Sequence, residues 1–156
     1  MISSVSLLLL CVAALLGSSV LAVAIGRSAT PVVYVATGVI SIIAAGTAAM
    51  GLLFAPSVPP VVTLPMGLPW LGAHFRLDAL AAFFLLVINV GGAAASLFGL
   101  GYGSHETAPQ RVLPFFPAFL AGMNLVVLSD DAFSFLLSWE FMSLSSWALV
   151  MAHHRE

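Results

Sequence analysis

Residues 5–25, 32–54, 77–100, 112–128 and 132–152 form five apolar runs, and only the last holds an acidic or basic side chain in its interior, Glu140. This pattern constrains the fold more than any other feature of the chain. At 1.5 Å per residue, about 20 helical residues cross the ~30 Å hydrocarbon core of a bilayer. A water-facing surface is not available as an alternative, because only 6% of the 156 residues are charged while 62% are hydrophobic. A soluble domain of this length cannot cover itself with so few charges. The expectation is an all-α polytopic membrane protein with five transmembrane helices at about those bounds. The formal net charge is −2 and the cations are arginines at 27, 76, 111 and 155, which leaves no basic surface for nucleic acid. Cys11 is the single cysteine and lies inside an apolar run, so it reads as a small apolar filler.

The first run has a rival reading as a secretory signal peptide, since Ala22-Val23-Ala24 is a small-x-small site. No Lys or Arg precedes the run, however, and it is longer than a usual signal core, so a span is preferred. Gly26 to Pro31 is a short polar break. In the second run Gly38, Ser41, Gly46, Thr47 and Gly51 read as a surface against which another helix packs closely. Residues 55–75 differ in kind. Pro56, Pro59, Pro60, Pro65 and Pro69 with Gly67 and Gly72 exclude a span. Val61 to Leu64 and Ala73 to Leu77 instead predict a short β-hairpin in the outer loop between helices 2 and 3. Trp70 suits a membrane–water boundary. His74 has no second ligand nearby and reads as a surface histidine.

Asp78 introduces the third run, where the helix dipole favours an acid. Asn89, Gly92 and Ser96 share one face of that helix and read as an interhelical contact, with the lining of a wet path as the alternative. The loop that follows holds His105, Glu106 and Arg111. Pro114 and Pro117 fall in the first turns of the fourth helix, where a missing N–H does little harm. Asn124 is the only strong polar group of that run. The adjacent His153 and His154 near the chain end point about 100° apart on a helix, poor geometry for one metal. Alternating loops place Arg27, Arg111 and Arg155 on one side of the membrane. The positive-inside rule makes that side cytoplasmic, with the N-terminus outside.

Asp130 and Asp131 begin the fifth helix, with Asp131 as N-cap. Glu140 follows nine residues later, about 14 Å down the axis and near the middle of the hydrocarbon core. An ionisable group there costs about 2.5 kcal/mol or more, and such groups usually mark an ion or proton path. Ser143 lies one turn beyond Glu140 on the same face, and Trp147 two turns beyond. A structural alternative is a protonated glutamic acid that ties two helices together.

The stretch Phe135-Leu136-Leu137-Ser138-Trp139-Glu140-Phe141-Met142-Ser143-Leu144-Ser145-Ser146-Trp147 resembles the fifth helix of the antiporter-like membrane subunits. These occur in respiratory NADH–quinone oxidoreductase, Mrp-type cation/proton antiporters and energy-converting hydrogenases. The form from Trp139 to Trp147 looks most like the hydrogenase-4 type found in formate hydrogenlyase. Phe75-Arg76-Leu77-Asp78-Ala79-Leu80 also resembles the family, as does a hairpin-like outer segment. The likeness is specific around Glu140 and weaker before residue 70.

The resemblance implies a proton-translocation role for Glu140, paired with a lysine on the family's seventh helix; Ser143 and Asn124 are the candidate water contacts read from this chain's own polar residues. Charge shifts along the membrane plane would then drive ion movement. The family fold has about fourteen helices, including a broken helix in each of two inverted repeats. Residues 1–156 correspond to its N-terminal part, without the lysine-bearing and broken helices. The chain is therefore expected to be a fragment, a truncated product or a split subunit. Other membrane subunits would supply the missing helices and lysine, and peripheral redox subunits would carry the electron transfer. No catalytic site, cofactor or metal ligand set is expected in this chain. The expected location is the bacterial inner membrane. An Mrp-type antiporter or NADH–quinone oxidoreductase subunit is the alternative within the family. A structural or assembly fragment that moves no ions is the alternative outside it.

Overall fold

The computed structural model describes residues 3–54, 58–65, 72–102 and 112–151. Trp70, His105, Glu106, Arg111 and the His153-His154-Arg155 end lie outside the described residues. Helix α1 spans Ser4–Ile25, a one-turn 3-10 helix spans Gly26–Ala29, and α2 spans Thr30–Leu53. Strands β1 (Val61–Leu64) and β2 (Ala73–Arg76) follow, then α3 (Ala79–Tyr102), α4 (Phe115–Leu128) and α5 (Ala132–Met151). The chain is an all-α multi-pass membrane protein with one small hairpin. Among the described residues, four of the five α-helices are long and apolar enough to cross a membrane: α1, α2, α3 and α5.

Local chemistry sets the helix ends. Ser3 caps α1 by accepting a hydrogen bond from the Ser6 N–H, and Gly26 leaves the helix at φ 68°, a conformation open to glycine. Pro31 occupies the first turn of α2, where its missing N–H costs nothing, so α2 starts two residues earlier than the apolar run. Asp78 stands before α3 and accepts from the Ala81 N–H at 2.8 Å, a cap in addition to its dipole interaction.

The fourth helix is shorter than its run. Residues 112–114 form a turn, with the Phe115 and Phe116 N–H groups both on Val112 O, and the regular helix starts at Phe115. Pro114 is the N-cap residue and Pro117 lies in the first turn. Its 14 residues reach about 21 Å. Ser19 of α1 donates to Pro114 O at 2.6 Å and so satisfies a carbonyl at this irregular start.

The hairpin is antiparallel, with Val61 opposite Arg76 and Leu64 opposite Ala73. Its inward residues Ala73 and Phe75 are buried with Val5, Leu8, Ala44, Ala48 and Leu128, so it closes one end of the bundle. Below it, Val12 and Leu15 of α1 pack on Leu120 and Ala121 of α4.

Small residues set the helix–helix distances, as expected where lipid gives apolar side chains no reason to leave it. A Cβ on Gly38 would come 3.3 Å from Ser96 Cβ. One on Gly92 would meet Leu120 and the Ser41 hydroxyl. Gly51 lies against Leu77, whereas Gly46 meets nothing within 4 Å and the half-buried Thr47 bonds back to Ile43 O of its own helix. The packing surface predicted on α2 is thus Gly38, Ser41 and Gly51. The tightest approach to backbone is between α4 and α5, where a Cβ on Gly122 would lie 2.9 Å from Met142 Cα.

Backbone cannot yield as a side chain can, which generates a paired test. Gly122→Ala is expected to lower stability in detergent by about 1–3 kcal/mol, the usual range for overpacking. Gly46→Ala should be neutral or slightly stabilising, since alanine is the better helix former. Thermal unfolding of the two variants side by side checks the contrast.

Candidate functional site

Helix α5 is placed by a polar junction at its start. The α4–α5 connection is only Ser129 to Asp131, and strand β2 holds all of it. Phe75 bridges Ser129, the Asp130 N–H donates to His74 O at 2.9 Å, and the His74 N–H donates to Asp131 Oδ2 at 2.9 Å. Asp131 also caps α5, as the sequence predicts: Oδ1 accepts from the Ser134 N–H at 2.8 Å and Oδ2 from the Ser134 hydroxyl at 2.6 Å. Arg76 Nε donates to Asp130 Oδ1 at 2.8 Å, and its Nη2 lies 3.5 Å from Asp78 Oδ2. The His74 ring is 3.7 Å from Asp131. His74 is therefore no isolated surface histidine; its partner lies 57 residues away, beyond the reach of local pattern.

Burial alone would raise the Asp131 carboxyl, but the hydrogen bonds from Ser134 and His74, with the charge of His74, overcome it and bring it down to about 2.

Nine residues below this junction, Glu140 lies on the side of α5 that the bundle leaves open. Ser134, Ser138 and Ser145 are the buried face of the helix. Glu140 and Ser143 are exposed, together with Leu136, Leu144 and Trp147 on the same arc. The structure thus brings Glu140 and Ser143 onto one face, one turn apart. Ser145 points inward instead, donating back to Phe141 O and Met142 O.

Asn124 belongs to a different face. It is buried between α3 and α4, where the Asn89 amide donates to Asn124 Oδ1 at 2.7 Å and the reciprocal contact is 3.5 Å. The second donor of each amide goes to its own helix, at Leu85 O and Leu120 O. Gly122 faces Met142 across the α4–α5 contact. At 100° per residue, Asn124 is about 200° round from Gly122 and Glu140 about 200° round from Met142. The two polar groups therefore stand at similar depth on opposite sides of the α4–α5 pair, and the structure does not bring them together. The interhelical-contact reading of Asn89 holds, and Asn124 is its partner.

Among the hydroxyls of this region, Thr37 Oγ1 and Ser41 Oγ are fully buried without a hydrogen-bond partner among the described residues. Neither the junction around Arg76 nor these hydroxyls follows from sequence. The first needs two distant segments, and the second needs knowledge of which face of α2 is covered.

No family model matches the chain. Partial likenesses to whole proteins exist. The chain is 32% identical over 111 residues to an uncharacterized protein of Mycobacterium tuberculosis, covering 70% of this chain and 17% of that protein. It is 40% identical over 79 residues to hydrogenase-4 component B of Escherichia coli, covering 49% of this chain and 12% of the relative. It is 30% identical over 101 residues to a Staphylococcus aureus protein named as antiporter subunit mnhA2, covering 61% of this chain and 13% of the relative. The chain spans less than a fifth of the length of each. These likenesses support kinship with antiporter-like membrane subunits.

The junction carries its own test. A carboxyl depressed in the folded protein contributes stability above its ordinary value and loses it as pH falls through the lowered one. Protection of the His74 and Ser134 amides from hydrogen exchange should therefore hold from neutral pH to about 4 and fall between about 4 and 2. Asp131→Ala, which removes the cap, should cost about 1 kcal/mol at neutral pH and abolish that pH dependence.

Proposed function

We propose that residues 1–156 form the N-terminal part of an antiporter-like, proton-translocating module in a hydrogenase-4-type complex of the bacterial inner membrane. One observation carries the reading: Glu140, in the interior of a span, lies on the face of α5 that this bundle leaves open. Hydrocarbon does not solvate a carboxyl group, at a cost of about 2.5 kcal/mol or more near the bilayer centre. The face is therefore a protein-covered or water-filled one in the working assembly. A cation approaching Glu140 from an added helix would favour its charged form, and withdrawal of that cation would favour protonation. This alternation is what moving a proton requires.

In this reading Glu140 is the titrating group, and Ser143 holds a water beside it. Asn124 serves behind α4, as part of the Asn89 pair. The partners are membrane subunits or segments that supply a lysine-bearing helix, and peripheral subunits in which electron transfer takes place. The N-terminus and the hairpin face the periplasm and Arg27, Arg111 and Arg155 the cytoplasm, following the arginine distribution. The likeness to hydrogenase-4 component B supports the hydrogenase assignment. The likeness to mnhA2 favours a second reading, an Mrp-type antiporter subunit, in which the same carboxylate moves protons against another cation.

Glu140→Gln keeps shape and removes the titrating group. In the assembled complex in vesicles it should reduce proton transport at least tenfold while assembly is retained. Unchanged transport would exclude Glu140 from the path. Sodium-dependent proton movement without redox substrate would select the antiporter reading. For orientation, a reporter fused at the N-terminus should be active on the periplasmic side.

A further inference from the structure

The seam between α2 and α3 contains two hydroxyls that break the rule followed by their neighbours. Ser18, Thr47, Ser96 and Ser145 each donate to the carbonyl four residues back, at 2.8 to 3.0 Å. That is the usual way for a hydroxyl to satisfy itself inside an apolar helix. Thr37 and Ser41 are fully buried and make no such bond. They are four residues apart on α2 and so project from one face, one turn above the other.

That face meets α3 where α3 is polar and thin. Gly38, between the two hydroxyls, lies against Ser96, and Ser41 Oγ would sit 3.1 Å from a Cβ on Gly92. Ser96 is 1% exposed and its donated proton is committed to Gly92 O, which leaves its oxygen free to accept. Two turns before Ser96 on α3 stands Asn89, whose amide protons are committed to Leu85 and Asn124, so that its carbonyl has a free acceptor site as well. The unspent donors of α2 thus share a helix face with Gly38, which lies against Ser96, and Ser41 Oγ reaches the thin stretch of α3 at Gly92, where Leu120 of α4 packs beside it.

We infer that this seam binds internal water, held by Thr37 Oγ1, Ser41 Oγ and Ser96 Oγ and leading along α3 to the Asn89–Asn124 pair. Water suits the site chemically, since a buried water needs two to four polar partners and is both donor and acceptor. The hydroxyl and amide groups that hold it carry no charge, so it stores no proton on a side chain. It forms a hydrated strip through the α2–α3–α4 seam, on the side of α4 away from Glu140. It stands independently of the proposed function.

Water-edited solid-state NMR on the 156-residue chain in lipid bilayers tests this directly. Magnetisation from water is expected to reach Thr37 and Ser41 at least threefold faster than the back-bonded, buried Ser18 and Ser145. Equal build-up at all four would overturn the inference and show that Thr37 and Ser41 have turned to their own helix carbonyls. A second measurement uses Ser96 as reporter. Thr37→Val together with Ser41→Ala removes two of the three anchors with little change of volume, and transfer to Ser96 should drop to the Ser145 level. Undiminished transfer would place any water elsewhere. Should that double variant fail to fold, the comparison within the unaltered chain already decides. Glu140→Gln should leave every one of these rates unchanged, which separates this result from the fate of the proton-path reading.

Discussion

Hydrocarbon offers no hydrogen bonds, so every polar group that enters it must find a partner within the protein. Nearly every polar side chain described in this bundle obeys that constraint visibly. Asn89 and Asn124 exchange amide contacts and commit their remaining donors to carbonyls of their own helices. Ser18, Ser96 and Ser145 bond back along their helices. Ser19 satisfies a carbonyl at the irregular start of α4. Against this background Glu140 stands out, because it is placed on an open face rather than in the satisfied interior. The bundle buries its amides and displays its one intramembrane acid.

The display is possible because α5 is held firmly from one end. Its start is enclosed by β2 through backbone pairing at Ser129 and Asp130 and through the carboxylate of Asp131. Arg76 adds ion pairs to Asp78 and Asp130, but these groups are 29–44% exposed. Pairs of that kind contribute about 0–1 kcal/mol. The backbone bonds and the cap therefore do most of the positioning, and the arginine mainly neutralises two neighbouring acids. Gly122 completes the arrangement by letting α5 lie directly on α4, which fixes the rotation that turns Glu140 outward.

Much of the fold is legible in residue order, because membrane helices are defined by length and apolarity alone. The hairpin is legible too, since prolines and glycines on both sides leave its strands no helical alternative. The start of α4 is less so: apolar residues 112–114 continue the hydropathy pattern, yet Pro114 makes them a turn. Of the candidate site, Glu140 and Ser143 are legible as a pair through their three-residue spacing. Asn124 is visible as a polar residue, but its partner Asn89 lies 35 residues away and no periodicity connects them. His74 and Asp131 are hidden for the same reason.

By itself, then, the sequence determines that this chain inhabits a membrane, where its helices run, and that one acid sits deep in the last of them. Those properties follow from composition within single segments, which is all that insertion into a bilayer reads. Only the tertiary structure decides which way each polar group turns. Rotation of a helix is set by its neighbours: Gly122 against Met142, the clasp of β2 on Asp131, and Gly38 against Ser96. These contacts send Asn124 inward to Asn89 and Glu140 outward, since a helix packed on one side by glycine must present its opposite side to whatever comes next.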